Sequence, residues 1–313
     1  MISLSIVIPV YNEAENVKEL HTEIKEVCEQ NNYQYEIIFI DDGSTDKTEN
    51  NIKSLSPVKL ISFRKNFGQT AAMDAGIKSA KYEYVITLDG DGQNNPKDIP
   101  RLIEFIENSD VDVVSGWRKH RKDNFAKHFV SRVANILRKI LINDGINDSG
   151  CTLKVYKKEC FLNVSLYGEM HRFIPALLKI KGFKIGEIIV DHRPRTKGKT
   201  KYGIARTLKG LIDMISVWFW NKYSVRPLHF LGGLGFAFIF SSIITGIMSL
   251  VKYLSGSNMS NTALPILTAF LFLSGIQFFI SGLITDILLK SYFETTKNNS
   301  YNIKRIYVKE AEK

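Results

Sequence analysis

Cysteine is scarce in this 313-residue chain, with Cys28, Cys151 and Cys160 the only three. None belongs to a CxxC pair and no His-rich stretch accompanies them, which argues against a disulfide framework or a structural zinc site and fits a reducing compartment. Two phosphate-binding signatures are missing too. No GxxxxGK[ST] loop occurs, so P-loop phosphoryl transfer is not indicated, and no GxGxxG follows the first apolar run, so neither is dinucleotide hydride chemistry. Internal repeats and low-complexity segments are also lacking. Acidic residues are outnumbered, 32 Asp+Glu against 42 Lys+Arg, giving a formal net charge of +10. With 44% hydrophobic residues the chain can bury a core, which excludes disorder as its main state.

Charge is also missing locally. From Leu228 to Val251 only His229 is titratable, and from Leu264 to Thr285 no residue is charged. Both stretches exceed the ~20 residues a helix needs to cross a bilayer, so two transmembrane helices are expected. Gly232, Gly233, Gly235 and Gly246 in the first, with Gly275 and Gly282 in the second, suit close helix packing in lipid. The apolar start, Ile2 to Val10, lacks a basic flank and soon meets Glu13, so it reads as a strand rather than a signal peptide.

The remainder reads as one α/β domain. Strands are expected around Ile6–Ile8, Glu36–Ile40, Lys59–Phe63 and Tyr84–Leu88. Helices are expected around Ala14–Glu29, Lys47–Leu55 and Ala71–Lys81. The strand runs are β-branched without polar alternation, which indicates a mostly parallel sheet covered on both faces. Ligands bind such sheets at the carboxyl ends of the strands. There the polar residues collect: Pro9-Val10-Tyr11-Asn12-Glu13, Asp41-Asp42-Gly43-Ser44 and Asp89-Gly90-Asp91-Gly92-Gln93. Clustered carboxylates repel unless a cation neutralises them, so a divalent metal accounts for Asp89 and Asp91, with a nucleotide diphosphate supplying further ligands. Tyr11 offers either a stacking face for a base or a packing surface for the sheet.

Basic charge concentrates in two segments. Arg118 to Ile142 holds eight Lys/Arg and one Asp, and Arg193 to Arg226 holds nine and one. Phe125, Phe129, Val133, Ile136, Leu137, Ile140 and Leu141 interleave with Lys127, Arg132, Arg138 and Lys139, the pattern of an interfacial amphipathic helix. In the second segment Leu208, Leu211, Ile212, Ile215, Trp218, Phe219 and Trp220 lead into the first apolar run. Bordering the apolar spans and carrying bulky faces, these segments favour a membrane surface over nucleic acid.

The series PVYNE (9–13), DDGSTD (41–46), RKNFGQTAAMDAG (64–76), DGDGQ (89–93), DSGC (148–151), MHRF (170–173) and RPRTKGKTKYG (193–203) resembles the inverting family 2 glycosyltransferases. Within them it is most similar to the polyprenyl-phosphate glycosyltransferases, the group containing dolichol-phosphate mannose synthase and bactoprenol glucosyltransferases. The resemblance covers nearly the whole chain and includes the order of the motifs.

The resemblance implies a GT-A catalytic domain over 1–203, a juxtamembrane amphipathic helix over 204–227, a transmembrane hairpin over 228–290 and a cytosolic tail over 291–313. It implies that Pro9, Tyr11, Glu13 and Asp42 surround the nucleoside. Asp89, Asp91 and Gln93 would hold Mg²⁺ or Mn²⁺ against the diphosphate. The family's Arg-x-x-Gly-x-Ser-Lys pattern stands here as Arg195-Thr196-Lys197-Gly198-Lys199-Thr200-Lys201, a Thr-for-Ser exchange that keeps the hydroxyl and leaves open whether Arg195 or Lys197 meets the diphosphate. Catalytic roles are therefore expected for Asp89, Asp91, Arg195, Lys197 and Lys201. The acceptor or sugar side is expected to involve Arg118, Lys127, Ser131 and Arg132, together with Asp148, Ser149, His171 and Arg172. Asp148 reads equally as a turn residue before Ser149-Gly150 and His171 as a structural histidine, so both alternatives stand.

A lipid phosphate is already anionic near neutral pH, its second pKa being about 6, so such an acceptor needs no general base. The implied reaction moves one sugar from a nucleotide-diphosphate sugar to a polyprenyl phosphate. UDP-glucose with undecaprenyl phosphate is the favoured pair, and mannose or N-acetylglucosamine are the other sugars considered. A different reading is a non-catalytic nucleotide-binding subunit of a membrane glycan complex. The expected partners are nucleotide sugar, polyprenyl phosphate and membrane, not nucleic acid, with homo-oligomerisation left open and a separate flippase taking the product onward. The expected location is the cell membrane, with the catalytic domain and both termini cytoplasmic.

Overall fold

The computed structural model describes residues 1–119, 145–162, 164, 166, 168, 170–194, 215, 218, 219, 222, 223, 227–256, 258 and 262–296. The chain divides into two compact units, Met1–Trp218 and Phe219–Lys313.

The first unit alternates strand and helix: β1 (Ser3–Val10), α1 (Val17–Gln30), β2 (Gln34–Asp41), α2 (Thr48–Lys53), β3 (Lys59–Ser62), α3 (Gln69–Ser79) and β4 (Tyr84–Thr87). Then follow α4 (Ile99–Asn108), β5 (Val113–Trp117), β6 (Lys154–Lys157), α5 (Ile174–Ile180) and β7 (Ile185–Ile189). Each strand and helix expected between Ile6 and Leu88 is present, with ends shifted by up to three residues, while the amphipathic helices expected within 118–142 and over 204–227 lie largely outside the described residues. Asn16 and Gly68 now precede their helices, and β2 extends to Asp41, so the acidic pair straddles the strand end.

The seven strands are ordered β3-β2-β1-β4-β6-β5-β7. All neighbours run parallel except β6, which is antiparallel to both β4 and β5. That reversal could not be read from the apolar runs, because it depends on the connection between β5 and β6. It has a local consequence: the first residue of β6, Lys154, lies beside Thr87 of β4 and Ser115 of β5.

Both faces of the sheet are buried, as the continuous apolar runs require. On one face Leu4, Ile6, Ile8, Phe39, Ile86, Val114 and Val155 pack with Leu20 and Ile24 of α1 and with Leu102 and Ile106 of α4. On the other, Val7, Ile38, Ile40, Val85, Val113 and Tyr156 pack with Ala72, Met73 and Ile77 of α3 and with Ile174 and Leu178 of α5. The result is a helix–sheet–helix sandwich with the carboxyl ends of β1, β2 and β4 aligned at one edge.

The second unit contains α6 (Pro227–Leu254) and α7 (Leu264–Thr296). Pro227–Leu254 and Leu264–Leu289 are each long and apolar enough to cross a membrane, with mean hydropathies of 2.1 and 2.0. Most of their large apolar side chains, including Phe236, Phe240, Ile266, Leu273 and Ile287, are exposed. The helices meet through glycine. A Cβ placed on Gly235 would lie 2.8 Å from the Gly275 carbonyl oxygen, and one on Gly275 would lie 2.9 Å from that of Gly235. Thr268 donates to Thr245 across the same pair at 3.0 Å.

This backbone approach leads to a stability prediction. Gly235→Val should lower hairpin stability by about 1–3 kcal/mol, the usual cost of overpacking, and so lower the thermal midpoint of detergent-purified protein. Gly233→Val faces open space and should leave that midpoint unchanged. Equal midpoints for the two variants would contradict the packing described.

Candidate active site

At the strand ends the first two acidic motifs serve chiefly as backbone anchors. Asp41 accepts from the Ser44 amide at 3.0 Å, closing the turn after β2. Asp42 takes the amides of Phe67 and Gly68 on its two oxygens, at 2.7 and 2.9 Å. Burial, helped by the charge of Asp41, raises the Asp42 carboxyl above its ordinary value, although those two amides pull it part of the way back. Asp42 thus shapes the 64–68 loop beside the position expected for the nucleoside. Pro9 is buried within β1, Tyr11 is partly exposed just beyond it, and Glu13 is buried with its carboxylate receiving Asn16 Nδ2 at 2.6 Å.

The turn after β4 is held from several sides. The Asp89 amide donates to Asn94 Oδ1 at 3.0 Å, Gln69 Nε2 donates to the Asp89 carboxylate at 2.8 Å, and the Gln93 amide donates to Asp91 Oδ1 at 3.1 Å. A Cβ on Gly90 would come within 2.5 Å of the Val10 side chain, so the glycine lets the turn lie directly against the end of β1. Asp89 is partly buried, and its carboxyl is pushed up to about 6, first by burial and then by the charge of Asp91.

A pair of carboxylates in mutual repulsion, next to a carboxamide, is a hard-oxygen donor set that fits Mg²⁺ or Mn²⁺. Among the described residues no group of three or more His, Cys, Asp or Glu gathers into a metal cage. Two carboxylates with the remaining ligands drawn from substrate is the arrangement expected for Mg²⁺.

Beyond β4 lies a second polar cluster. Arg118, just after β5, grips Asp148 with Nε and Nη2 at 2.7 and 2.9 Å, and both side chains are largely buried. Burial alone would raise the Asp148 carboxyl, but the Arg118 hydrogen bonds and charge outweigh it and hold the group below its ordinary value. An ionised carboxylate so occupied is a weak proton acceptor, which matches its reading as a turn residue rather than a base. Ser149 follows in the same turn, its carbonyl facing Lys154 Nζ at 3.3 Å. His171, buried in the helical turn Met170–Phe173, shares a 2.7 Å hydrogen bond between Nδ1 and Thr70 Oγ1 at the start of α3. Arg172 is partly exposed beside it.

The structure therefore brings Pro9, Tyr11, Glu13, Asp42, Asp89, Asp91 and Gln93 to neighbouring strand ends, with Arg118, Asp148 and Ser149 two strands along. Lys127, Ser131, Arg132, Arg195, Lys197 and Lys201 lie outside the described residues. The chain leading to the last three is nonetheless anchored: the Arg193 amide donates to the Gln93 carbonyl at 2.9 Å, and its guanidinium donates to Glu23 at 2.8 Å and to Asn95 at 2.7 Å. Four supporting residues were given no role in the sequence reading: Gln69, Thr70, Asn94 and Lys154. Gln69 and Thr70 lie within the RKNFGQTAAMDAG motif, and Lys154 is a lysine in the otherwise apolar Leu153–Tyr156 run.

An α/β sandwich with acidic strand ends, an Asp-x-Asp turn after β4 and a reversed β6 defines the GT-A class of nucleotide-sugar-dependent glycosyltransferases. The chain belongs to glycosyl transferase family 2, whose profile matches residues 5–164. Among curated proteins it is similar to the dodecaprenyl-phosphate galacturonate synthase of Rhizobium johnstonii, 34% identical over 98% of this chain and 93% of that one. It is also similar to the undecaprenyl-phosphate 4-deoxy-4-formamido-L-arabinose transferase of Pseudomonas syringae pv. syringae, 30% identical over 97% of this chain and 90% of that one. Among solved structures, mannosyl-3-phosphoglycerate synthase from Rubrobacter xylanophilus superposes with a TM-score of 0.58 at 17% identity, over 70% of this chain and 74% of that one. Glucosyl-3-phosphoglycerate synthase from Mycobacterium tuberculosis, in complex with Mn²⁺, UDP and phosphoglyceric acid, gives 0.53 at 15% identity, covering 70% and 78%. These two likenesses establish the fold.

Proposed function

We propose that this enzyme transfers one sugar, with inversion, from a nucleotide-diphosphate sugar to the phosphate of a polyprenyl phosphate at the cytosolic face of a membrane. The observation that carries the reading is the combination, in one chain, of the Asp89–Asp91 turn at the GT-A strand ends and two C-terminal helices long and apolar enough to span a bilayer. Near-full-length similarity to two enzymes named for polyprenyl-phosphate sugar transfer supports it.

Pro9, Tyr11, Glu13 and the Asp42-anchored loop form the nucleoside side of the site. Asp89, Asp91 and Gln93 are the residues that would hold a divalent cation, whose charge, when bound, offsets that of the departing diphosphate. Arg195, Lys197 and Lys201 add further positive charge from a segment whose entry is tied to Gln93. The acceptor phosphate, already anionic, attacks the anomeric carbon without a base, consistent with Asp148 being engaged by Arg118. Arg118, with Lys127, Ser131 and Arg132, and His171 and Arg172 form the acceptor and sugar side. Asp148 and Ser149 support that side from the turn before β6.

UDP-glucose and undecaprenyl phosphate remain the proposed pair on motif resemblance. The two relatives are named for galacturonate and a formamido-arabinose, so these sugars belong in the same test. Purified protein in nanodiscs is incubated with undecaprenyl phosphate and radiolabelled nucleotide sugars carrying glucose, galacturonate, the arabinose derivative, mannose and N-acetylglucosamine. Label should become extractable into organic solvent with one sugar of the panel. A protein that binds UDP yet labels lipid with none would favour the non-catalytic subunit.

Topology carries its own prediction. Lys209, Lys222 and Arg226 precede the first span, and Lys290, Lys297, Lys304 and Arg305 follow the second, whereas the connection from about Tyr253 to Ala263 has none. Positive flanks stay on the cytoplasmic side. In a background with the native cysteines replaced, a cysteine at position 257 should react with an impermeant maleimide in whole cells, and one at position 309 should not. The reverse pattern would put the catalytic domain on the wrong side for its donor.

A further inference from the structure

Glu187 of β7 stands where three donors converge. Sheet register sets it beside Ser115 of β5, three residues before Arg118. Its Oε1 accepts the backbone amides of Asn147 and Asp148 at 2.8 and 3.0 Å, and its Oε2 accepts Asn147 Nδ2 at 2.7 Å. A carboxylate, which only accepts and does so on both oxygens, is the group that satisfies all three.

What Glu187 holds is the segment that carries Asp148. From there the Asp148 carboxylate takes Arg118 Nε and Nη2 at 2.7 and 2.9 Å and the Arg118 amide at 3.3 Å. The far end of the turn is fixed by Lys154, which donates to the carbonyls of Cys151 and, at 3.3 Å, Ser149. The turn lies directly against the guanidinium, since a Cβ on Gly150 would come within 3.1 Å of Nη2. A planar fork gripped along one edge cannot swing about its stem, so Asp148 also sets the direction of the third nitrogen, Nη1. Among the described residues Nη1 has no hydrogen-bond partner, and it is not closed off from solvent, so it keeps two N–H donors for an anion.

We propose that Glu187 is a positioning residue for the acceptor: by fixing Asn147 and Asp148 from β7 it sets the grip of Asp148 on Arg118, and with it the direction in which Arg118 Nη1 meets the anionic phosphate of the lipid. The inference rests on the reading of Arg118 as an acceptor-side residue. A charge-assisted hydrogen bond depends on distance and alignment, and a guanidinium released from its brace loses both. The nucleoside side is anchored separately, through Asp42 to the 64–68 loop and through Glu13 to Asn16, so the effect falls on the acceptor.

The test is steady-state kinetics of the full chain in nanodiscs, with undecaprenyl phosphate and the donor sugar selected from the panel varied in turn. Glu187→Ala should raise the KM for undecaprenyl phosphate by ~10-fold or more, while the KM for the donor and the binding of UDP stay within about 2-fold of wild type. In Glu187→Gln the new carboxamide sets a donor against Asn147 Nδ2, and in Asn147→Asp two carboxylates oppose each other; each should raise the acceptor KM. Joining the two substitutions should restore it, because the carboxamide at 187 then donates to the carboxylate at 147 and still accepts both backbone amides. A purely structural brace would lower the thermal midpoint and leave both KM values unchanged, which overturns the proposal. A double variant no better than either single one overturns it too, as does an equal rise in the two KM values. If Glu187→Ala fails to fold, the exchange pair decides alone. Arg118→Ala tests the underlying reading: an unchanged acceptor KM there overturns the acceptor role of Arg118 itself, whereas a raised one beside a wild-type value in Glu187→Ala overturns the positioning role alone.

Discussion

Asp91→Asn is expected to lower sugar transfer by roughly 10²–10³-fold or more while leaving the thermal midpoint within a degree or two of wild type. The substitution keeps the size of the side chain and one carbonyl oxygen that can still accept the Gln93 amide, so the turn after β4 survives. What it removes is a negative charge from a two-carboxylate site with no third acidic, histidine or cysteine ligand among the described residues to compensate. Asp89→Asn should be equally inactive, since it removes the other carboxylate charge of the same turn, although it also alters the acceptor of the Gln69 carboxamide. EDTA should abolish wild-type transfer, and excess Mg²⁺ or Mn²⁺ should restore it. Turnover undiminished by EDTA, or an active Asp91→Asn enzyme, would contradict the assignment.

The second large effect is expected from the basic segment. Replacing Arg195 and Lys201 together with Ala should reduce turnover by at least ~10-fold, because charge-assisted hydrogen bonds are worth roughly 1.5–3 kcal/mol each. The physical basis is continuity with the described chain: Arg193 is fixed to Gln93, Glu23 and Asn95, and residues 195–201 follow it directly. Steady-state kinetics should show the loss with saturating donor and acceptor, and the thermal midpoint should stay constant. Unchanged turnover would make the segment a solvated charge run.

The place of the acidic motifs was legible because they follow directly from strand ends, and in a parallel sheet all strand ends share an edge. The place of Asp89, Asp91 and Gln93 just after β4 could be read from the apolar run before them, whereas the role of Gln93 came from the family resemblance. The acceptor side was less legible. Its geometry depends on β6 reversing direction, which brings the Asp148–Cys151 turn to the carboxyl end of β4 although 59 residues separate Asp89 from Asp148. The Arg118–Asp148 pair, the Thr70–His171 bond and the burial of Lys154 all arise from that long-range closure. No local pattern encodes them. The apolar hairpin was the reverse case, read from composition alone, with its glycine contact added by the structure.

The central claim is glycosyl transfer to a lipid phosphate, and the products discriminate it from its nearest chemical alternative. With the labelled donor identified in the panel, the nucleotide released in stoichiometric amount should be the diphosphate. The lipid product should then show a single phosphodiester resonance by ³¹P nuclear magnetic resonance, with the anomeric configuration inverted. Release of the nucleoside monophosphate with a diphosphate-linked lipid would mean that a sugar phosphate, not a sugar, had been transferred, and would contradict the account.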